Sequence, residues 1–200
     1  MARGVLFVMS GPSGTGKGTI CEKLLANDEN NLFLSISSTT REIRKGEVDG
    51  VTYNYTTVEG FEKMIADGEM LEYAKYNGNY YGTPRIAVAD MLSSGKNVLL
   101  EIEVQGALKV KNIFPDAILM FVIPPSMKEL KNRLTERGRE SEEQIAERME
   151  TAKWEFTKTP LYNHIFVNDD LDACVKEVED IIYNERAKRD LVDKLISENY

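Results

Sequence analysis

Residues Gly11-Pro12-Ser13-Gly14-Thr15-Gly16-Lys17-Gly18-Thr19 separate two segments of opposite character. Before them runs Val5-Leu6-Phe7-Val8-Met9, a short continuous apolar stretch that suits a buried strand. After them, Ile20-Cys21-Glu22-Lys23-Leu24-Leu25 opens a helical pattern. A buried strand that turns through glycines and a lysine straight into a helix is a phosphate-binding loop. It confines the chain to an α/β fold with that loop at a sheet edge. The glycines let successive backbone N–H groups face one anion, and the helix N-terminus adds unsatisfied donors and its dipole. Lys17 supplies a point charge for the β- and γ-phosphates. A nucleoside triphosphate is the ligand this loop implies.

The residue after the loop lysine is commonly Ser or Thr, whose hydroxyl reaches Mg²⁺. Here it is Gly18, with Thr19 one place later. That order resembles the loops of nucleoside-monophosphate kinases more than those of GTPases, and the chain contains no Asn-Lys-x-Asp guanine motif. Direct ligation of Mg²⁺ by the loop is therefore not expected.

The net charge of −8 over 200 residues argues against nucleic-acid and membrane-surface binding. An acidic chain that binds polyphosphate must gather its cations locally, and Arg41 with Arg44, then Arg133, Arg137, Arg139 and Arg148, form two such gatherings. Cys21 and Cys174 lack metal-ligand spacing and read as small buried residues. The single His, His164, opens an apolar run and reads as structural. No signal peptide or transmembrane run is apparent, so a cytoplasmic protein is expected.

Strand-like runs at 5–9, 98–102, 118–123 and 165–167 alternate with helical patterns at 16–26, 86–92, 106–113 and from 127 onward. This rhythm predicts an α/β fold: a three-layer core with a parallel sheet covered on both faces. Leu171, Val175, Val178, Ile181 and Ile182 place a long helix at the C-terminus. Two regions break the rhythm. Residues 35–83 hold short alternating runs, many glycines and one helix around 61–66, which suggests a small insert of antiparallel strands plus a helix. Residues 126–157 are charged and helical, interrupted at Arg137-Gly138-Arg139 and restarted by a capping box, Ser141-x-x-Gln144. The core is then 1–34, 84–125 and 158–200.

Four segments outside the loop carry chemistry. Residues 37–53 concentrate hydroxyls with Arg41, Arg44 and Tyr53, groups that can fork onto or hydrogen-bond a phosphate; a polar surface hairpin is the other reading. Glu72-Tyr73-Ala74 is followed by Tyr80-Tyr81-Gly82-Thr83. Glu101 and Glu103 end an apolar strand, where ligands of open α/β sheets bind, and are expected on opposite faces of it. Arg133 and Arg137 share a helix face, with Arg148 in the next helix; they form either a solvated surface or a clamp for phosphate charge.

In this order and spacing the segments resemble guanylate kinases, which phosphorylate GMP with ATP, over residues 4–185. The resemblance implies a P-loop core, a GMP-binding insert at 35–83 and a helical lid at 126–157. It implies ATP on the loop residues Gly11, Pro12, Ser13, Gly14, Thr15, Gly16, Lys17, Gly18 and Thr19, with Arg133 and Asn168 nearby. Arg41, Arg44, Tyr53 and Tyr81 would hold the GMP phosphate, and Ser37, Glu72 and Thr83 would read guanine. Glu101 would contact the guanine edge, and Glu103 would lie near the phosphates and metal. Lys17, Arg41, Arg137 and Arg148 would stabilise the transferring group. Mg²⁺ would be held mainly by ATP oxygens and water. Glu at 101 and 103, where many members carry Asp, Ile43 for a frequent Pro and Arg139 for a frequent Thr are departures. Two alternatives remain at this stage: a non-catalytic guanylate-kinase-like peptide-binding domain, and a related P-loop kinase with another phosphorylated acceptor. Oligomeric state is not legible.

Overall fold

A computed structural model describes residues 3–76, 78–136 and 141–198. The central sheet holds β1 (Leu6–Ser10), β2 (Leu32–Leu34), β7 (Asn97–Glu101), β8 (Ile118–Ile123) and β9 (His164–Val167) in the order β2-β7-β1-β8-β9. Every pairing in it is parallel, with β1 between β7 and β8. Parallel strands need crossovers, and these pass through α1 (Lys17–Ala26), α3 (Arg85–Ser93) and α4 (Val104–Ile113), whereas α7 (Leu171–Glu198) follows the last strand and packs on one face of the sheet.

β1 shows why the sheet is covered twice. Phe7 and Met9 face one way, into a core with Ile20 and Leu24 of α1 and Cys174, Val178 and Ile182 of α7. Leu6 and Val8 face the other way, onto Val88 and Leu92 of α3 and Ala107 and Val110 of α4. A strand buried on both faces reads as an unbroken apolar run. The two cysteines are buried and unbridged.

A second sheet contains β3 (Ser38–Thr39), β4 (Asn54–Tyr55), β5 (Met70–Tyr76) and β6 (Asn79–Pro84), ordered β4-β3-β6-β5. Helix α2 (Val58–Ala66) covers it through Phe61, which is fully buried and stacked on Tyr80 with centroids 5.1 Å apart. The expected antiparallel pairing holds for β5–β6 and β3–β6, but β3–β4 is parallel. The chain between β3 and β4 is a long loop rather than a tight hairpin, so it can return in the same direction.

Helices α5 (Met127–Glu136) and α6 (Glu142–Phe156) pack on each other through Leu130, Leu134, Ile145 and Ala152. The Ser141–Gln144 capping box starts α6 as expected.

Two further expectations need correction. Strand β2 lies outside the strand-like runs of the sequence because three apolar residues after a polar run are too short to show a period. Glu101 and Glu103 do not lie on opposite strand faces: β7 stops at Glu101, and Glu103 is the residue before α4. Residues two apart on a strand would in any case share a face.

Candidate functional site

The loop between β1 and α1 turns on glycines that no other residue could replace without strain. Gly11, Gly14 and Gly16 have φ of 142°, 93° and 89°. A Cβ on Gly11 would sit 2.2 Å from the Val122 carbonyl oxygen, and one on Gly16 would sit 2.4 Å from Asn168 Nδ2. Thr15 closes the turn by donating its amide and hydroxyl to the Pro12 carbonyl. Gly18 meets nothing, and both it and Thr19 are exposed at the start of α1. Lys17 Nζ arches back over the loop and donates to the carbonyls of Gly11 at 2.6 Å and Pro12 at 3.0 Å.

Three side chains brace this loop from outside. Asn168, buried just after β9, donates to the Thr15 carbonyl at 2.8 Å. Arg133 of α5 donates to the Asn168 carbonyl at 3.0 Å while paired with Glu129 at 2.8 Å. Arg148 of α6 donates to the Ser13 hydroxyl at 2.9 Å. A cleft of about 420 Å³ runs along this edge, lined by Gly14, Gly16, Thr19, Arg133, Asn168 and Asp169 among others. Arg137 and Arg139 lie outside the described residues.

The second sheet carries the other cluster. Glu72 of β5 is only 6% exposed, and its Oε1 accepts the hydroxyl of Thr83, its partner across the hairpin, at 2.8 Å. Its other oxygen points at Gly106, where a Cβ would come within 2.7 Å. Burial pushes the Glu72 carboxyl up, while the Thr83 hydroxyl and the Lys109 ammonium favour its charged form. Arg41 pairs with Glu47, and its guanidinium lies against the rings of Tyr53 and Tyr55. Tyr53 packs edge-on against Tyr81 at 5.9 Å. Burial, reinforced by Glu101 and Tyr81, raises the Tyr53 hydroxyl, so it stays a proton donor. Ser37 is half-buried beside β3, and its carbonyl receives the Asn54 amide. Arg44 is exposed at the edge of this cluster.

Between the two clusters stand Glu101 and Glu103. Glu101 is exposed at the tip of β7, next in the sheet to β1. Glu103 Oε1 is buried with no hydrogen-bond partner, and burial pushes its carboxyl up against the influence of Lys109.

Three residues of these clusters were not singled out from the sequence. Glu47 and Tyr55 carry no motif beyond their place in a polar loop. Glu155, 9% exposed near the end of α6, is pushed up to about 7 by burial, with Lys17 opposing and Glu103 reinforcing the shift. A lone acidic residue in a charged helix gives no sequence signal of burial.

The model of one family, guanylate kinase, matches residues 3–185. The chain belongs to the guanylate kinase family. It is 50% identical to the guanylate kinase of Oceanobacillus iheyensis over 192 residues, which cover 96% of this chain and 93% of that protein. It is 48% identical to that of Clostridium perfringens strain 13 over 197 residues, covering 98% and 91%. The crystal structure of guanylate kinase from Anaplasma phagocytophilum superposes with a TM-score of 0.78 at 32% identity, covering 92% of this chain and 87% of that one. Fold class and kinase family therefore agree with the reading of the loop and its flanks. Among the described residues no helix is long and apolar enough to cross a membrane.

Proposed function

We propose that this enzyme transfers the γ-phosphoryl group of ATP to GMP or dGMP, giving ADP and GDP or dGDP. The single observation that carries the choice of acceptor is the buried Glu72–Thr83 pair. Guanine offers N1–H and N2–H₂ donors that one carboxylate accepts together, and O6 and N7 acceptors for the Ser37 hydroxyl and for the Thr83 hydroxyl once its proton turns from Glu72 to the base. Adenine presents a lone pair at N1 and would leave Glu72 facing it. Unpaired polar groups in such a pocket discriminate by roughly 10⁴–10⁵.

ATP occupies the loop and the cleft beside Arg133 and Asn168, with its phosphates on the loop amides and Lys17. The GMP phosphate meets Arg41, Arg44, Tyr53 and Tyr81. An oxygen of that phosphate, already anionic near neutral pH, attacks the γ-phosphorus in line as the bond to the bridging oxygen of ADP breaks. No strong general base is required; positioning and charge stabilisation carry the step. Lys17, Arg148 and Arg137 spread the developing charge, and Arg148 already reaches Ser13 on the loop. Residues 35–83 form the acceptor-binding insert, and 126–157 form the lid that keeps water from the γ-phosphate.

ATP-dependent kinases take Mg²⁺ with their nucleotide, and the residues present fit an indirectly held ion. Mg²⁺ keeps several waters and takes one or two carboxylates plus substrate phosphates. Glu103, with a buried oxygen that has no partner, suits a contact to metal-bound water, and Thr19 stands at the rim of the cleft. When bound, the ion neutralises charge on the β- and γ-phosphate oxygens.

Product stoichiometry tests the reading. Incubation with ATP and GMP yields ADP and GDP in equal amounts, and ATP alone yields little ADP. ADP formed without GDP would identify an ATPase or another acceptor, and no turnover at all would favour a binding domain.

A further inference from the structure

Arg41 is fixed by a carboxylate that has so far been given no part in binding. Arg41 Nη2 donates to Glu47 Oε1 at 2.8 Å and Nη1 donates to Glu47 Oε2 at 3.0 Å, with the arginine side chain 11% and the glutamate 19% exposed. Nη1 also donates to the Glu42 carbonyl at 2.7 Å. Glu47 Oε2 further accepts the Tyr55 hydroxyl at 2.7 Å and the Arg44 amide at 2.8 Å. The rings of Tyr53 and Tyr55 lie 5.5 and 5.9 Å from the guanidinium carbon. One carboxylate thus joins Arg41, the backbone of Arg44 and strand β4.

The geometry says which part of the guanidinium is left to act. Its five N–H groups lie in one plane. Glu47 takes the end-on pair, one hydrogen from each Nη, and Glu42 takes the second hydrogen of Nη1. Nε–H and the second hydrogen of Nη2 lie along the remaining edge as two parallel donors, the arrangement that grips a phosphate bidentately. We propose that Glu47 is a positioning residue for the acceptor phosphate: by holding the end-on edge of Arg41 it presents the Nε–Nη2 edge to that phosphate, beside Tyr53 and Tyr81. The inference rests on the reading of this cluster as the GMP phosphate site. The opposing view treats Glu47 as a competitor that must leave Arg41 when phosphate arrives. The two views predict opposite signs.

The test compares GMP with guanosine, which carries the same base and no phosphate, by equilibrium titration, alongside steady-state kinetics. Glu47→Gln keeps the shape and removes the charge. It is expected to weaken GMP binding about 10–100-fold, the worth of a charge-assisted pair, and to raise the KM for GMP in step. Guanosine binding and the KM for ATP stay within about twofold of wild type. Glu47→Asp recovers part of the loss. Tyr55→Phe, which removes one partner of Glu47 and leaves the charge, gives a smaller loss of the same sign. Wild-type or tighter GMP binding in Glu47→Gln overturns the proposal, as does an equal loss for guanosine and GMP. Arg41→Ala separates the two levels. If it weakens GMP but not guanosine while Glu47→Gln does neither, only the positioning role fails. If Arg41→Ala also spares GMP, the phosphate-site reading fails with it.

Discussion

The donor and acceptor ends of this site are built from different materials. At the donor end the proposed phosphate site is made of backbone: Gly11, Gly14 and Gly16 hold conformations with positive φ, and Asn168 braces them by a hydrogen bond to a carbonyl. At the acceptor end the work falls to side chains, in the Arg41–Glu47–Tyr55 net and the Glu72–Thr83 pair. The first site can be damaged by adding a single carbon. The second depends chiefly on which polar groups are present and how they are turned.

Substitutions sharpen the contrast, beginning with the largest effect expected. Lys17→Ala should lower kcat by about 10³-fold or more while the circular dichroism spectrum is unchanged, because transition-state charge loses its nearest cation. Near-normal turnover would remove Lys17 from the chemistry. Glu72→Gln should lower kcat/KM for GMP by roughly 10²–10⁴ and leave ATP binding intact. Equal losses for both nucleotides would mean that Glu72 supports the fold rather than reads the base.

Smaller effects are expected in stability. Gly16→Ala places a Cβ 2.4 Å from Asn168 Nδ2 at a φ of 89°, and should cost about 1–3 kcal/mol in urea unfolding. Gly18→Ala, two residues on, has open space around it and should be neutral or slightly stabilising within the helix. A similar cost for the two would show that the loop is not held by its backbone geometry. Glu155 gives a pH signature. Its folded-state carboxyl lies near 7 against an ordinary 4.5, so the folded protein keeps a proton that the unfolded chain releases. Stability is therefore unpenalised below about 4.5 and falls as pH rises through 7. Glu155→Gln should be more stable than wild type at pH 8 by on the order of 1–3 kcal/mol, with little difference near pH 4.5.

The same contrast explains what was legible in the sequence. The donor loop is contiguous, and a strand buried on both faces announces itself as an apolar run, so β1, β7 and β8 could be read nearly to the residue. The acceptor end is assembled from separated pieces of a second sheet. Arg41 and Tyr53 stand out in the sequence as phosphate-binding residue types, and with Tyr81 take their place at the GMP phosphate from the family resemblance, whereas Glu47 and Tyr55 become visible only once β4 lies parallel to β3 and the intervening chain folds against Arg41. Glu155 was hidden for a related reason: its burial depends on where α6 packs, not on its neighbours in sequence.

The central claim is that this site moves phosphate from ATP to a guanine nucleotide and to no other nucleobase. It is tested most directly by measuring kcat/KM for ADP formation with GMP, dGMP, AMP, CMP and UMP as acceptors. The account predicts high values for GMP and dGMP and values lower by at least about 10³-fold for the other three. Comparable rates with AMP, or a preference for a pyrimidine nucleotide, would contradict it.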